Sequence, residues 1–138
     1  MTRGTDFIMS KTPRHYSPYD APMWQSIEEG QMKLQRCRQT GTFYYPPGPA
    51  CPESLSFDVE WAPISGKGKI LSWTVFHRQY LPAYPAPHLV VAVALEEGPI
   101  MIGYMDHDSL PELKLDRGVA MRYVQHPDGY RVPKFTLQ

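Results

Sequence analysis

From Met32 the chain alternates apolar and polar residues, Met32-Lys33-Leu34-Gln35-Arg36-Cys37, the period of two that sends successive side chains to opposite faces of a strand. A second extended run, Thr42-Phe43-Tyr44-Tyr45, follows across Arg38-Gln39-Thr40-Gly41. Gly41 can supply the positive φ of a tight turn, so the two runs form a hairpin. Upstream, Asp20-Ala21-Pro22 reads as a helix start with Asp20 as N-cap, Met23, Trp24 and Ile27 share one face, and Gly30 ends the helix. Residues Met1 to about Pro18 carry no period and read as a flexible or partner-docked arm.

Past Ser54 the pattern predicts strands over 57–62, 69–77, 88–96, 100–104, 119–125 and 130–135. They are separated by Ser65-Gly66-Lys67-Gly68, a proline-rich loop over 78–87, Glu97-Gly98-Pro99 and Pro127-Asp128-Gly129. Residues 109–115 are the one later helix candidate, with Ser109 as its N-cap. Five or six strands with a short helix between the fourth and fifth is the layout of a small OB-type barrel.

Composition narrows this picture. Fifteen prolines and 12% aromatic residues, with few runs of strong helix formers, favour short strands and shaped loops over a helical bundle. The fold class is therefore mostly β, divided into an N-terminal arm and short helix (1–31), a ribbon-like hairpin (32–56) and a barrel (57–138). Fourteen basic residues balance fourteen acidic ones, so no global field draws the chain to nucleic acid or to an anionic membrane. The N-terminus has only Phe7-Ile8-Met9 as an apolar run, and no segment approaches the ~20 apolar residues that span a bilayer as a helix. A soluble, cytoplasmic protein is expected.

Both cysteines lie in one short stretch, and each opens a four-residue turn, Cys37-Arg38-Gln39-Thr40 and Cys51-Pro52-Glu53-Ser54. This is the spacing of a zinc ribbon with Thr40 and Ser54 in the second position of each knuckle. The proline-rich segment Pro46-Pro47-Gly48-Pro49 cannot continue a ladder and returns Cys51 toward Cys37. A metal site and a lapsed one both remain open at this point.

Several other constellations have bland readings. His77 and His88 flank the proline-rich loop, but no sequence signature supplies the nucleophile or polarising donors that acid–base chemistry would need. Asp106-His107-Asp108 reads as a solvated turn, since consecutive residues point different ways. Ser65-Gly66-Lys67-Gly68-Lys69 lacks the spacing of a phosphate-binding P-loop. Trp73 is expected in the core, whereas Tyr80-Leu81-Pro82-Ala83-Tyr84-Pro85 is stiff and apolar and suits a preorganised binding edge.

The ordered pieces are Met23-Trp24 before Glu29-Gly30, Leu34-Gln35-Arg36-Cys37, Gly41 with Tyr45-Pro46-Pro47, Cys51-Pro52, Trp61, Ser65 to Ile70, Ser72-Trp73-Thr74-Val75 and His77-Arg78. Together they resemble the family in which a rubredoxin-like zinc ribbon precedes an OB-fold and which accompanies thiolase-like and acyl-CoA-processing enzymes. The resemblance runs from about Tyr19 onward. It implies a non-catalytic accessory subunit that binds a thiolase-like or enoyl-CoA-hydratase-like protein and helps form its acyl-CoA channel. On that expectation Lys67, Lys69, Trp73, His77 and Arg78 are the candidate contacts to a CoA thioester or to the partner. The family's ligand set is Cys-x-x-Cys twice; here Cys37 and Cys51 are a degenerate pair, and zinc is disfavoured because hydroxyls are poor replacements for thiolates. No other cofactor is expected, and self-association is left open. The alternative is an OB-fold that binds single-stranded nucleic acid; an independent hydrolase using His77 or His88 ranks last.

Overall fold

The computed structural model describes residues 17–138; the arm expected over the preceding residues lies outside them. Helix α1 (Ala21–Glu28) is followed by eight strands: β1 (Lys33–Cys37), β2 (Phe43–Tyr44), β3 (Val59–Pro63), β4 (Lys67–Phe76), β5 (His88–Leu95), β6 (Ile100–Met105), β7 (Gly118–Gln125) and β8 (Arg131–Leu137). A 3-10 helix, His107–Glu112, separates β6 from β7. The strands form two antiparallel sheets, β2-β1-β3 and β6-β5-β4-β7-β8. The chain is thus mostly β, as the period-two runs predict, and the second sheet is an OB-type sheet whose end strands β6 and β8 are not hydrogen-bonded to each other.

Helix α1 ends as its sequence dictates. Gly30 takes φ +82, its amide donates to Ile27 O, and the Gln31 amide donates to Ser26 O, the paired bonds of a Schellman motif. At its start Asp20 occupies the N-cap position with Pro22 in the first turn, as expected, while its carboxylate makes no side-chain cap bond and accepts from Ser17 Oγ at 2.9 Å. The helix is tied to both sheets. Ser26 Oγ accepts from the Lys33 amide, Glu28 accepts from the Arg131 amide at 2.9 Å, and Gln31 Nε2 donates to Ile64 O. Tyr123 Oη accepts from the Met32 amide at 2.8 Å.

One core joins all three layers. Met23 and Ile27 from α1, Met32 and Leu34 from the β1 region, and the alternating row Leu89, Val91, Val93 and Leu95 of β5 are buried together with Phe135. At roughly 1.5–3 kcal/mol for each fully buried large apolar side chain, this shared core is the main stabilising contribution.

Three sequence expectations are corrected. The strand expected at 57–62 as the first of the barrel is β3, which pairs along the whole of β1, from Lys33↔Pro63 to Cys37↔Val59. It thereby completes the ribbon's own sheet. The helix expected over 109–115 is a 3-10 segment starting at His107 and containing Pro111, which has no amide to continue an α-helical ladder. Trp73 is not in the core. A bulge at Leu71, between Ile70↔Val93 and Ser72↔Ala92, shifts the alternation of β4, and Trp73 ends opposite Val91 with 37% of its surface exposed.

The glycines of Ser65-Gly66-Lys67-Gly68 are explained by close approach. A Cβ on Gly68 would sit 2.5 Å from Ala94 O, and one on Gly66 would sit 3.0 Å from Met121 Cβ. The turn lets β4 nestle against β5 and β7.

Candidate functional site

An apolar, aromatic-lined groove runs across the molecule in two contiguous parts. The first, about 260 Å³, lies where α1 faces β6 and β8, with Trp24, Tyr45, Ile102 and Tyr104 in its wall. The second, about 320 Å³, is walled by Phe76, Tyr80, Leu81 and Arg78. Tyr84, His88 and Val90 line both parts and join them.

Cross-strand register assembles the junction. Phe76 pairs with His88 and Val90 with Tyr104, so these residues share one face of the sheet. The His88 ring stacks on Tyr84 at 4.9 Å and lies 5.7 Å from Tyr104 and 6.2 Å from Phe76. Burial lowers the His88 pKa, which favours the neutral imidazole. Burial, reinforced by Tyr84 and Asp106, pushes the Tyr104 phenol up to about 12. The groove therefore presents neutral rings, with the Arg78 guanidinium lying 5.7 Å over the Tyr80 ring at its margin. Such a surface suits an apolar chain or a partner's apolar side chains, with one cation at its lip.

The 78–87 loop is held over this groove from the β7–β8 turn. His126, 8% exposed, has its Nε2 3.2 Å from Ala83 O, and its Nδ1 accepts from the Asp128 amide at 3.1 Å. With Nδ1 taken as the acceptor, Nε2 is left to donate to the Ala83 carbonyl, and the ring stacks on Tyr130 at 5.4 Å. His126→Ala should free the loop. We expect hydrogen exchange of the Tyr84 amide, which donates to Leu81 O, to quicken roughly 5- to 30-fold, as loss of about 1–2 kcal/mol of local anchoring implies. An unchanged rate would show that the loop does not depend on His126.

The five residues proposed from the sequence are not gathered. At about 3.3 Å per residue, β4 carries its two ends about 30 Å apart. Lys67 and Lys69 stand at the first end, in a separate recess with Glu96, Asp116 and Gln138, where carboxylates offset their charge. His77 and Arg78 follow the other end, and of the five only Arg78 lines the groove. Asp106, expected in a solvated turn, pairs with Lys134 at 2.7 Å. Sequence reasoning missed Tyr104, Trp24 and His126. Their only signal was an aromatic or histidine residue next to a turn or on a predicted strand or helix.

The two knuckles form a second cluster. Cys37 and Cys51 are fully buried free thiols packed with Tyr44, while Thr40 and Ser54 lie at the surface. Ser54 Oγ is 3.4 Å from Cys37 Sγ. The Ser54 hydroxyl, followed by the side chain and amide of Thr40, brings the Cys37 thiol down from 9.0 to about 6, against the opposing effect of burial. Burial, then the charge of the two sulfurs, raises the Tyr44 phenol. Among the described residues, no group of three or more His, Cys, Asp or Glu could hold a metal ion. Nor is any helix among them long and apolar enough to cross a membrane.

Comparison with known proteins matches two family models. Residues 24–60 match the rubredoxin-like zinc ribbon domain of ChsH2, and residues 61–124 its C-terminal OB-fold domain. A probable enoyl-CoA hydratase alpha subunit from Thermomonospora curvata is 27% identical over 89% of this chain. The chain spans 39% of that relative's length. A DUF35 domain-containing scaffold protein from Pyrococcus furiosus is 28% identical over 71% of this chain and 73% of its own. Among solved structures, a chain of the Ltp2-ChsH2(DUF35) aldolase superposes with TM-score 0.81 at 25% identity, covering 91% of this chain and 98% of that one. A zinc ion, which the ribbon domain's description implies, does not fit the donors here. Two thiols and two alcohols replace four strong ligands, and both alcohols already accept backbone amide bonds, Thr40 from Thr42 and Ser54 from Ser56.

Proposed function

The chain belongs to the ChsH2 family, a rubredoxin-like zinc ribbon followed by an OB-fold, and on that premise we propose that it is a non-catalytic accessory subunit docking on a thiolase-like or hydratase-like acyl-CoA enzyme. In this reading the aromatic groove contributes one wall of the partner's acyl-CoA channel, and Arg78 meets a phosphate or carboxylate at its lip. The observation that carries it is the continuity of the groove with exposed apolar residues. Ile100 and Ile102, 57% and 58% exposed on β6, stand beside Ala94 and Ala92 of β5. An exposed apolar surface continuous with a groove supports a protein or ligand contact here. The names of the relatives, a hydratase alpha subunit and an aldolase complex, supply the class of partner. Within the groove, His88 is surrounded by rings, and among the described residues no serine, threonine, cysteine, carboxylate or lysine lines either part, which supports binding over catalysis.

The test is co-expression of the full chain with a hydratase-like or thiolase-like polypeptide encoded beside it, followed by size-exclusion chromatography and an acyl-CoA turnover assay. Co-elution, with turnover only in the complex, is expected. An isolated chain that by itself converts acyl-CoA at a useful rate would overturn the proposal. The nucleic-acid alternative gains nothing from the groove, whose aromatic wall carries, among the described residues, a single cation in place of a basic track.

A further inference from the structure

The two knuckles repeat each other bond for bond. The Cys37 amide donates to Thr42 O and the Cys51 amide to Ser56 O, both at 2.9 Å. The Cys37 carbonyl accepts from Gly41 and the Cys51 carbonyl from Leu55, both at 2.8 Å. Thr40 Oγ1 accepts from the Thr42 amide at 3.2 Å, and Ser54 Oγ from the Ser56 amide at 3.3 Å. Gly41 and Leu55 take matching left-handed conformations, φ +74 and +61. The backbone of a two-knuckle ribbon is thus kept in full, while the second position of each knuckle is a hydroxyl already engaged by an amide.

What an ion would otherwise hold together is cross-linked by other means. Buried Gln35 clamps the proline-rich segment from both sides, its Nε2 donating to Gly48 O at 2.9 Å and its Oε1 accepting from the Gly48 amide at 2.8 Å. Glu60 on β3 binds both Arg36 and Arg38, and Asp58 binds Arg38. Ser54 Oγ reaches across from one knuckle to Cys37 Sγ of the other at 3.4 Å. A neutral alcohol is a poor zinc ligand, and the remaining two thiols leave an incomplete set.

We propose that this ribbon folds and persists without a metal ion, its knuckles closed by the Thr40 and Ser54 hydroxyls, with Cys37 and Cys51 remaining as a buried pair of unliganded cysteines. The full chain, purified from cells grown with added zinc, is measured for metal content and for its thermal midpoint with and without a strong chelator. Zinc far below one ion per chain and a midpoint unmoved by chelator are expected. Stoichiometric zinc, or a midpoint that falls with chelator, overturns the proposal.

The complementary variant is Thr40→Cys/Ser54→Cys, which restores four thiols on a retained backbone. It should take up about one zinc ion per chain, show the visible bands of tetrahedral thiolate coordination with cobalt, and acquire a chelator-sensitive midpoint. A folded double variant that binds neither metal shows that the knuckle geometry is not retained, and sinks that part of the proposal. Ser54→Ala covers the case in which the double variant does not fold: a lower midpoint at unchanged metal content is expected, and a wild-type midpoint excludes closure by the hydroxyl.

Discussion

Phe135→Ala lowers the unfolding free energy by about 3–5 kcal/mol, the usual cost of deleting a fully buried phenylalanine. The ring is 1% exposed and lies against Gly103 of β6, where an added Cβ would come within 2.6 Å of its Cε2. Phe135 therefore fastens β8 to β6 in the one place where the sheet's ends are not joined by backbone bonds. Domains of ordinary stability have about 5–15 kcal/mol in hand, so the variant should melt roughly 10–20 °C lower. Gly103→Ala makes the complementary case. In the wild-type background it overpacks the contact and costs about 1–3 kcal/mol. In the Phe135→Ala background the new methyl enters vacated space, and the cost should shrink. Additive penalties in urea denaturation would mean that the two residues do not share this contact.

If the proposed docking holds, Ile102→Lys should weaken association with the partner enzyme by about 100-fold or more, because a lysine buried in an apolar interface lacks a partner for its charge. The free chain should lose little, since exposed positions away from special contacts change stability by about 0.5 kcal/mol or less. Binding measured by titration calorimetry, alongside the melting midpoint of the free chain, separates the two effects. Retained affinity would move the docking surface away from β6.

Strands were legible from different signals: β1 from its apolar–polar alternation, and β5 from a nearly unbroken, valine-rich apolar run after His88, bounded by Pro87 and Gly98-Pro99, whose half-buried and buried residues follow in strict turn only in the fold. The glycine that closes α1 was legible because few other residues hold a left-handed backbone cheaply. The bulge at Leu71 was not. Nothing local in Ile70-Leu71-Ser72 announces it, yet it decides which way Trp73 faces. The groove was hidden more deeply. It depends on α1 lying beside the gap between β6 and β8, and on residues far apart in the chain, such as Tyr84 and His126, meeting through tertiary packing. The turn at 65–69 lacks the spacing of a phosphate-binding loop in the sequence, but only the fold shows that Gly68 answers to β5 and Gly66 to β7 pressed against them.

The position of β3 has a bearing on how the molecule comes apart. The boundary between the two matched family segments, at residues 60 and 61, falls inside this strand, which is hydrogen-bonded to the ribbon and leads directly into Ile64 of the common core. The second match also stops at residue 124, before β8 and Phe135. Homology segments and cooperative units therefore do not coincide. The ribbon and the barrel should unfold in a single transition, with the same midpoint by far-ultraviolet dichroism and by tryptophan fluorescence, and a fragment cut at either border would leave half of a ladder without its other half.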